Sequence, residues 1–440
     1  MVSRPSADDA SGSGRGITRL ILSRPEFIVY LVAAISTVSG LWILETTLQW
    51  VVLASSGSST LVGALYVAIF IPIVILVVPV GLAIDRYGAK PLLLISQVVW
   101  CTVMLAGAAL SHFGWMNSSV VIALAVLNGV CNATWNVPAQ VILGRIVRKE
   151  LMAGAIGLGL LQFAAGRIVG GSLAAATLAA AGPSVTLLLG AACAAIGLSI
   201  TTRVRDNRSL ERRSMAPPWP SDISQAFAWT TRNRHAIALF VLGGITALFT
   251  VGYLTVLPAV SRSILHAGPV GLGLMTAAGG AGLAVAAFVA DPLGRVLGRG
   301  AAACLVLVCI AIALFGLGTS TSLALSIVLV GAIAGGLGVF TATNSSLLQA
   351  MSPPEMRGRV LAFYGLVVWL IFPLAALAIG NSVDRFGASH SLEAMGALTF
   401  ISVVVTLIGY RPLGRLDIGQ SGAAQMRTQA LFPPWRTSHS

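Results

Sequence analysis

Two charged side chains stand where charge is expensive. Glu45 is the one acid well inside an apolar run, and Arg167 is the one base deep inside another. A carboxylate in a membrane interior costs several kcal/mol unless it is protonated or paired. Glu45 therefore has three readings. It carries a proton, loading from one side and releasing to the other as exposure alternates; it contacts a cationic substrate; or it is a neutral acid bonded locally to Thr46 or Gln49. Arg167 keeps its proton, so it needs a carboxylate, carbonyls or water nearby. It either binds an anion or ties helices together. The two residues lie on different helices, so the sequence does not say whether they pair.

Neutral polar groups surround this pair of possibilities. Asn128, Asn132, Asn136 and Gln140 recur at every fourth residue, which sets one stripe along one helical face, with Trp135 beside it. Amides donate and accept, so the stripe lines a cavity or forms a hydrogen-bond ladder between helices. Such bonds are worth only about 0.6–2 kcal/mol each in membranes, and four in line exceed what packing needs. Thr341, Thr343 and Asn344 echo the stripe more weakly. Trp42, Gln49 and Trp50, with Trp369 and Phe372, offer faces for a flat apolar ligand; interfacial anchoring is the plainer reading of each tryptophan.

Enzyme chemistry finds no support. His112, His235, His266 and His390 fall near the ends of apolar runs, and the five cysteines fall inside them without metal spacing. There is no P-loop, so ATP-driven transport is unsupported, and neither cofactor nor metal is expected.

The elements that position these residues follow from composition. Of 440 residues, 56% are hydrophobic and 9% charged, and the mean hydropathy is +0.90. Soluble domains carry roughly a quarter charged residues. Lipid leaves only helices and closed barrels viable, and these runs are continuous rather than alternating. The expected fold is all-α, a polytopic membrane protein with twelve transmembrane helices in two six-helix halves. The spans are read at 27–53, 59–84, 91–112, 117–143, 152–180, 183–202, 236–261, 268–290, 300–318, 322–350, 360–382 and 390–410, each near or above the twenty residues a crossing needs.

The net charge of +13 points to membrane topology, because Arg and Lys concentrate in alternate connections; no nucleic-acid partner is expected. One side holds Arg86, Lys90, Arg145, Arg148, Lys149, the run from Arg203 to Arg234, Arg295, Arg299, Arg357 and Arg359. The other holds Arg262 and Arg385. The positive-inside rule then places both termini in the cytoplasm. Residues 1–26 read as a disordered tail without a signal peptide's apolar core, and 412–440 as a second tail. The halves are 27–202 and 236–411. Between them, the linker 203–235 is Arg-rich, then proline-rich. It ends in a stretch spaced either as a short amphipathic surface helix or as a flexible connection.

The densest polar turn is Gly81-Leu82-Ala83-Ile84-Asp85-Arg86-Tyr87-Gly88-Ala89-Lys90. Its echo in the second half is Val289-Ala290-Asp291-Pro292-Leu293-Gly294, read as the equivalent turn, and Asn136 has its counterpart in Asn344. Half-chain repeats are a transporter signature, with substrate held near the midplane between the halves.

These residues resemble the major facilitator superfamily. The Gly81–Lys90 stretch is similar to its signature between spans two and three, with Ala89 replacing a frequent Arg. Asn136-Val137-Pro138-Ala139-Gln140 leading to Arg145, Gly166-Arg167-Ile168-Val169-Gly170 and Pro354-Glu355-Met356-Arg357-Gly358-Arg359-Val360 resemble the branch of the enterobactin exporter and multidrug-efflux proteins. That branch usually has Gly-Asp-Trp in span one; here it is Gly40-Leu41-Trp42, with Glu45 one turn on. Gly170-Gly171 replaces a Gly-Pro, and the Arg common in span four of proton-coupled relatives is absent from Leu127-Asn128-Gly129-Val130.

The resemblance implies alternating access, with a conformational latch at one membrane face built from Gly81, Asp85, Arg86, Gly88, Lys90, Asp291, Gly294, Arg145, Arg148, Arg357 and Arg359. Glu45, Arg167, Asn128, Asn132, Asn136, Trp42, Gln49 and Asn344 are the expected substrate and proton pathway. The expected function is antiport: export of a small amphipathic or hydrophobic compound across the plasma membrane on inward proton flow. Partners are the substrate, protons and membrane lipids, with the chain a monomer. A dedicated exporter of a siderophore-like metabolite or lipid is the alternative within transport, and a membrane sensor or scaffold is the alternative outside it.

Overall fold

The computed structural model describes residues 25–146, 152–204, 220–250 and 252–409. The two tails, Arg148, Lys149 and most of the linker's Arg- and Pro-rich run thus lie outside the described residues. Every element among them is helical: α1 Pro25–Ser56, α2 Ser59–Tyr87, α3 Ala89–His112, α4 Ser118–Ile146, α5 152–181, α6 183–201, α7 Pro220–Arg232, α8 Arg234–Ile264, α9 Gly268–Leu297, α10 Arg299–Thr319, α11 Leu323–Met351, α12 Arg357–Phe386 and α13 Ala388–Gly409.

Eleven helical stretches are long and apolar enough to cross a membrane, and one of them is two crossings. The stretch Met152–Thr201 breaks at Gly182, whose φ of 76° and ψ of −178° suit glycine almost alone. Pro183 then restarts the helix at the position where its missing N–H costs nothing. The chain reverses there. Gly166 and Gly170 lie against Val38, Ser39 and Trp42, ascending α1, whereas Gly190 and Gly197 lie against Ile43 and then Thr37, descending it. Twelve crossings result, as the apolar runs imply. Turns with positive-φ glycines mark the two ends of the bundle. Gly57, Gly114, Gly182, Gly268 and Gly387 lie at what we call the far face, and Gly88 and Gly298 at the near face, where α1 begins.

One expectation about the turns is overturned. Asp291 and Gly294 do not sit at the near-face turn of the second half; α9 runs on to Leu297 and the chain turns at Gly298, φ 79°. Gly294 is a helical residue against which the Arg299 side chain lies. The similarity of the two segments is thus out of register by one helical turn. The residue three before the second-half hinge is Arg295, where the first half has Asp85.

Between the halves, α7 forms a short helix on the near face. Ala226 packs with Leu239 of α8, Leu347 and Leu348 of α11, and Val360 and Tyr364 of α12, while Gln225 Oε1 accepts a 2.6 Å bond from Arg359 Nη1. Arg359 thus anchors the linker helix. The crossing after it, α8, contains two π-helical segments, Thr246–Thr250 and Val260–Ile264, a distortion frequent at functional sites.

The two halves meet along α2 with α12 and α5 with α9. Small residues let the backbones touch: Gly63 lies on Ala376, Gly380 on Ser59, Gly171 on Ala277, Gly273 on Ala175 and Gly280 on Ala164. In the α2–α12 seam an aromatic cluster follows toward the middle, with Phe372 edge-on to Tyr66 at 5.5 Å and to Phe70 at 4.5 Å. Trp369 stacks on Phe70 at 5.3 Å. Past this point on α2, Ile71, Ile75, Val77, Val78 and Leu82 are exposed. The seam is tight toward the far face.

Two charges from the second half seal that face by gripping one hairpin of the first. Asp384, near the end of α12, accepts bonds from Ser58 Oγ (2.7 Å), Ser59 N (2.6 Å) and Thr60 N (2.9 Å), the free donors at the start of α2. Arg262, near the end of α8, donates from Nη1 to Leu53 O at 2.7 Å, in the last turn of α1. Each charge has the sign that its helix end attracts, acid on the N-terminus and base on the C-terminus. Sequence reading assigned no role to Asp384 and saw Arg262 only as an outlying charge.

Asp384→Ala strands α2's first donors, a loss worth about 0.5–2 kcal/mol for a capping residue, so it shifts the protein toward states open at the far face by about twofold to thirtyfold. Spin labels at Asn117→Cys and Thr321→Cys, both exposed far-face positions, in a background without native cysteines, measure this. A longer-distance population is expected in Asp384→Ala, and identical distributions in both proteins would sink the clamp.

Candidate functional site

At mid-depth, four helices from both halves converge on Arg167. Its position on α5 puts the guanidinium across the seam, where Gly279 of α9 leaves room: a Cβ there would collide with the guanidinium. Nε donates to Thr276 O of α9 at 3.0 Å, and Nη2 to the Tyr253 hydroxyl of α8 at 3.2 Å. The guanidinium also lies over the Trp42 ring of α1, 4.4 Å from the centroid, an arrangement worth about 2 kcal/mol when desolvated. Phe163 meets the same ring edge-on at 5.9 Å. Arg167 is 4% exposed. One cation thus links α1 and α5 of the first half to α8 and α9 of the second.

Glu45 lies one turn along α1 from Trp42 and is 8% exposed. Its one hydrogen bond is long, 3.5 Å from Asn128 Nδ2 of α4. It makes no ion pair with Arg167, although the two are close enough to interact electrostatically. Asn128 is itself fixed, because its Oδ1 accepts a 2.7 Å bond from Trp100 Nε1 of α3. Trp135 packs beside Trp100 at 6.0 Å. The centre therefore holds a carboxylate with one neutral partner and a cation with none of opposite charge.

The amide stripe changes character along its length. Asn128 is fully buried, Asn132 half-buried, and Asn136 and Gln140 are exposed toward the near face, bonded to each other at 2.9 Å. It is a wall that opens in the near-face direction. Gln49 is buried on α1, one turn past Glu45. Asn344 belongs elsewhere: it is fully buried and its Nδ2 reaches Leu239 O at 3.5 Å. It is held inside the second half, between α11 and α8, and the structure does not bring it to the Glu45–Arg167 centre. Sequence periodicity could not separate the two asparagines, because which helix a polar face meets depends on the rotation of its neighbours.

At the near face, Asp85 is exposed and makes no hydrogen bond or ion pair with any described residue. The Arg86 guanidinium sits 5.3 Å from the centroid of the Tyr87 ring. Lys90 donates to Thr202 O at 2.8 Å and Val204 O at 2.7 Å, a cation on the C-terminal carbonyls of α6. Gly81 is buried inside α2, and Gly88 (φ 89°, ψ 160°) forms the turn. Asp291 pairs within its own segment, with Arg295 and, at 3.4 Å, with Arg299. Arg357 Nε reaches Ser352 O at 3.4 Å. Arg145 lies in the last turn of α4 at this face.

Sequence reading missed Tyr66, Tyr253 and Thr276. Tyr253 and Thr276 complete the Arg167 site, and Tyr66 is fully buried beside it with an unpartnered hydroxyl. Tyrosines and a backbone carbonyl in apolar runs carry no signal of their own; only the contact with Arg167 marks them.

The family model for the Major Facilitator Superfamily matches residues 30–376. No curated protein matches the chain. Solved structures of the same fold include the nucleoside transporter NupG, with a TM-score of 0.72 at 11% identity over 88% of this chain and 99% of that one. The xylose transporter XylE from E. coli in its inward open conformation aligns with a TM-score of 0.64, 14% identity, and 87% and 95% coverage. A bacterial homolog to the human lysosomal transporter Spinster, inward-facing and unoccupied, gives 0.61, 17%, 88% and 96%. The likeness at these identities is one of fold. With a family model spanning most of its crossings and a buried polar centre between two six-helix halves, the chain is a membrane transporter that belongs to the Major Facilitator Superfamily.

Proposed function

We propose that this protein is a proton-coupled transporter that exports small amphipathic or hydrophobic compounds across the plasma membrane, working as a monomer with both termini in the cytoplasm. The observation that carries the reading is Glu45: an acid buried beside the Arg167 centre, with a single long bond from a neutral amide. A carboxyl group so placed takes up and releases a proton at low structural cost, because no salt bridge has to break. The amide wall from Asn128 to Gln140 supports a polar path toward the near face. The aromatic side chains of Phe70 and Phe372 suit an apolar substrate body. Export as the direction rests on the efflux-like stretches around Asn136, Arg167 and Arg357.

The placement of charge supports the orientation. The described near-face residues include Arg86, Lys90, Arg203, Arg232, Arg295, Arg299, Arg357 and Arg359, against Arg262 and Arg385 at the far face, which by the positive-inside rule puts the near face in the cytoplasm. The sealed far face and the unpartnered Asp85 then describe an inward-facing state. On this reading Asp85 is the open half of a latch that engages when the near face closes, and Lys90 can hold anionic headgroups as well as α6.

Two measurements test the reading. In proteoliposomes, uptake or release of a dye-like amphipathic substrate responds to an imposed pH gradient in the native protein and loses that response in Glu45→Gln; a Glu45→Gln protein that still follows the gradient removes Glu45 as the proton carrier. For the latch, Asp85→Asn is expected to leave the inward-facing state folded while depleting the outward-facing one. Thiol accessibility of near-face cysteines reports this, and an unchanged ratio of the two states excludes a latch role for Asp85.

A further inference from the structure

The charge at the centre of the site is not balanced locally. Guanidinium has five N–H donors. Arg167 uses Nε on Thr276 O and Nη2 on Tyr253 Oη, and Nη1 donates to no described residue. No described carboxylate lies within ion-pair distance, since Glu45 is turned to Asn128.

On the helices at this centre are further buried groups without a hydrogen-bond partner. Trp42 Nε1, Thr46 Oγ1, Tyr66 Oη and Thr250 Oγ1 have no hydrogen-bond partner, and all four residues are more than nine-tenths buried. Trp42 lies against the guanidinium, and Tyr66 is close enough to Arg167, Glu45 and Tyr253 to interact electrostatically with each. Thr46 lies one turn beyond Trp42 on α1, and Thr250 ends the π-helical segment just before Tyr253. The threonines could have escaped by bonding to the carbonyl four residues back, as Thr37, Thr47, Thr246 and Thr276 do. They do not. An unmet buried polar group costs about 1–3 kcal/mol, so a cluster of them points to a ligand that meets them.

The chemistry of the cluster says which ligand. Indole only donates, guanidinium only donates, and the hydroxyls can donate. The partner they lack is a hydrogen-bond acceptor that carries negative charge. A carboxylate is planar, carries two acceptor oxygens and matches a guanidinium edge with two parallel bonds. A phosphate monoester, with close to two charges at pH 7, exceeds the one fixed cation. We infer that the substrate of this site is a small organic monocarboxylate, its acid group held by Arg167 with Trp42 Nε1 and Tyr66 Oη, and its apolar body set against the aromatic faces of Tyr66, Phe70 and Phe372. Tyr253 is a positioning residue that aims the guanidinium. This rests on the centre being the transport site, and on neither the direction of transport nor proton coupling.

The test is a binding measurement, so it stands apart from the transport assays. The full chain in lipid nanodiscs is melted with a thiol-reactive dye that reports exposure of its buried cysteines, in the presence of matched probes: 3-phenylpropionate, 3-phenylpropionamide and 3-phenylpropylammonium, with the same trio on a cyclohexyl body. Saturable stabilisation by the carboxylates is expected, with the amides and ammonium compounds weaker by about thirtyfold, the scale of losing one partner of a buried charge pair. Arg167→Gln should erase that preference, leaving all probes equal. Because Arg167→Gln also loosens the seam between the halves, Gly279→Ala and Tyr253→Phe are measured beside it. Both keep the charge but displace it or free it, and both should reduce carboxylate affinity while amide affinity holds. Equal stabilisation by the three head groups, preference for the ammonium, no stabilisation by either carboxylate, or a preference that survives in Arg167→Gln would each overturn the inference. Selective binding in a protein whose transport ignores pH would instead retain it and remove the proton-coupled reading.

Discussion

A permanently charged guanidinium buried between two rigid halves is the constraint on which the centre of this protein depends. Arg167 cannot shed its proton, so its surroundings must accommodate the charge. They do so with a backbone carbonyl, a phenol and an indole face contributed by three other helices. A glycine is required at position 279 for the guanidinium to fit. Because these partners come from both halves, any movement that separates α5 from α9 must break or replace bonds to a buried charge. Under the substrate assignment we propose, the same residue is both tie and site, and those roles are compatible only if a ligand takes over bonds that separating halves give up.

The far face applies the same physics with different parts. Helix ends carry N–H groups without intrahelical partners and carbonyls that can accept a further bond, and the hairpin of α1 and α2 presents both kinds beside each other. Asp384 and Arg262 supply the complementary charges from the opposite half. These contacts are at the protein surface and are individually modest, so the seal is reversible. The seam behind it is apolar and built on small residues, which lets helices separate without stranding polar groups. The exposed clamp and the buried cation are thus both charged contacts that join one half to the other.

At the near face, Asp85, Asp291 and Lys90 have local partners or none among the described residues. Asp85 has no described partner, Asp291 is occupied by its own segment, and Lys90 caps a helix of its own half. None of these crosses between halves. The linker helix α7 is nonetheless bound to the second half through Arg359 and a small apolar core.

The sequence by itself determined the class of the protein and most of its outline. Continuous apolar runs with few charges leave helices as the only spanning element, and their number and the two-half arrangement follow from run length and spacing. It also marked Glu45 and Arg167, since isolated charges in apolar runs stand out without any structure. Tertiary structure decided everything that depends on helix rotation and register. It put Asn128 on Glu45 and Asn344 inside its own half, although both sit in similar stripes. It moved the second-half hinge from Gly294 to Gly298, a shift of one helical turn that leaves helical periodicity unchanged and is therefore invisible to it. It drew Tyr66, Tyr253, Thr276 and Asp384 into roles that their local sequence does not announce. The reason is geometric: a helix's own pattern tells which residues share a face, while the partner of that face is set by packing against helices that are distant in sequence.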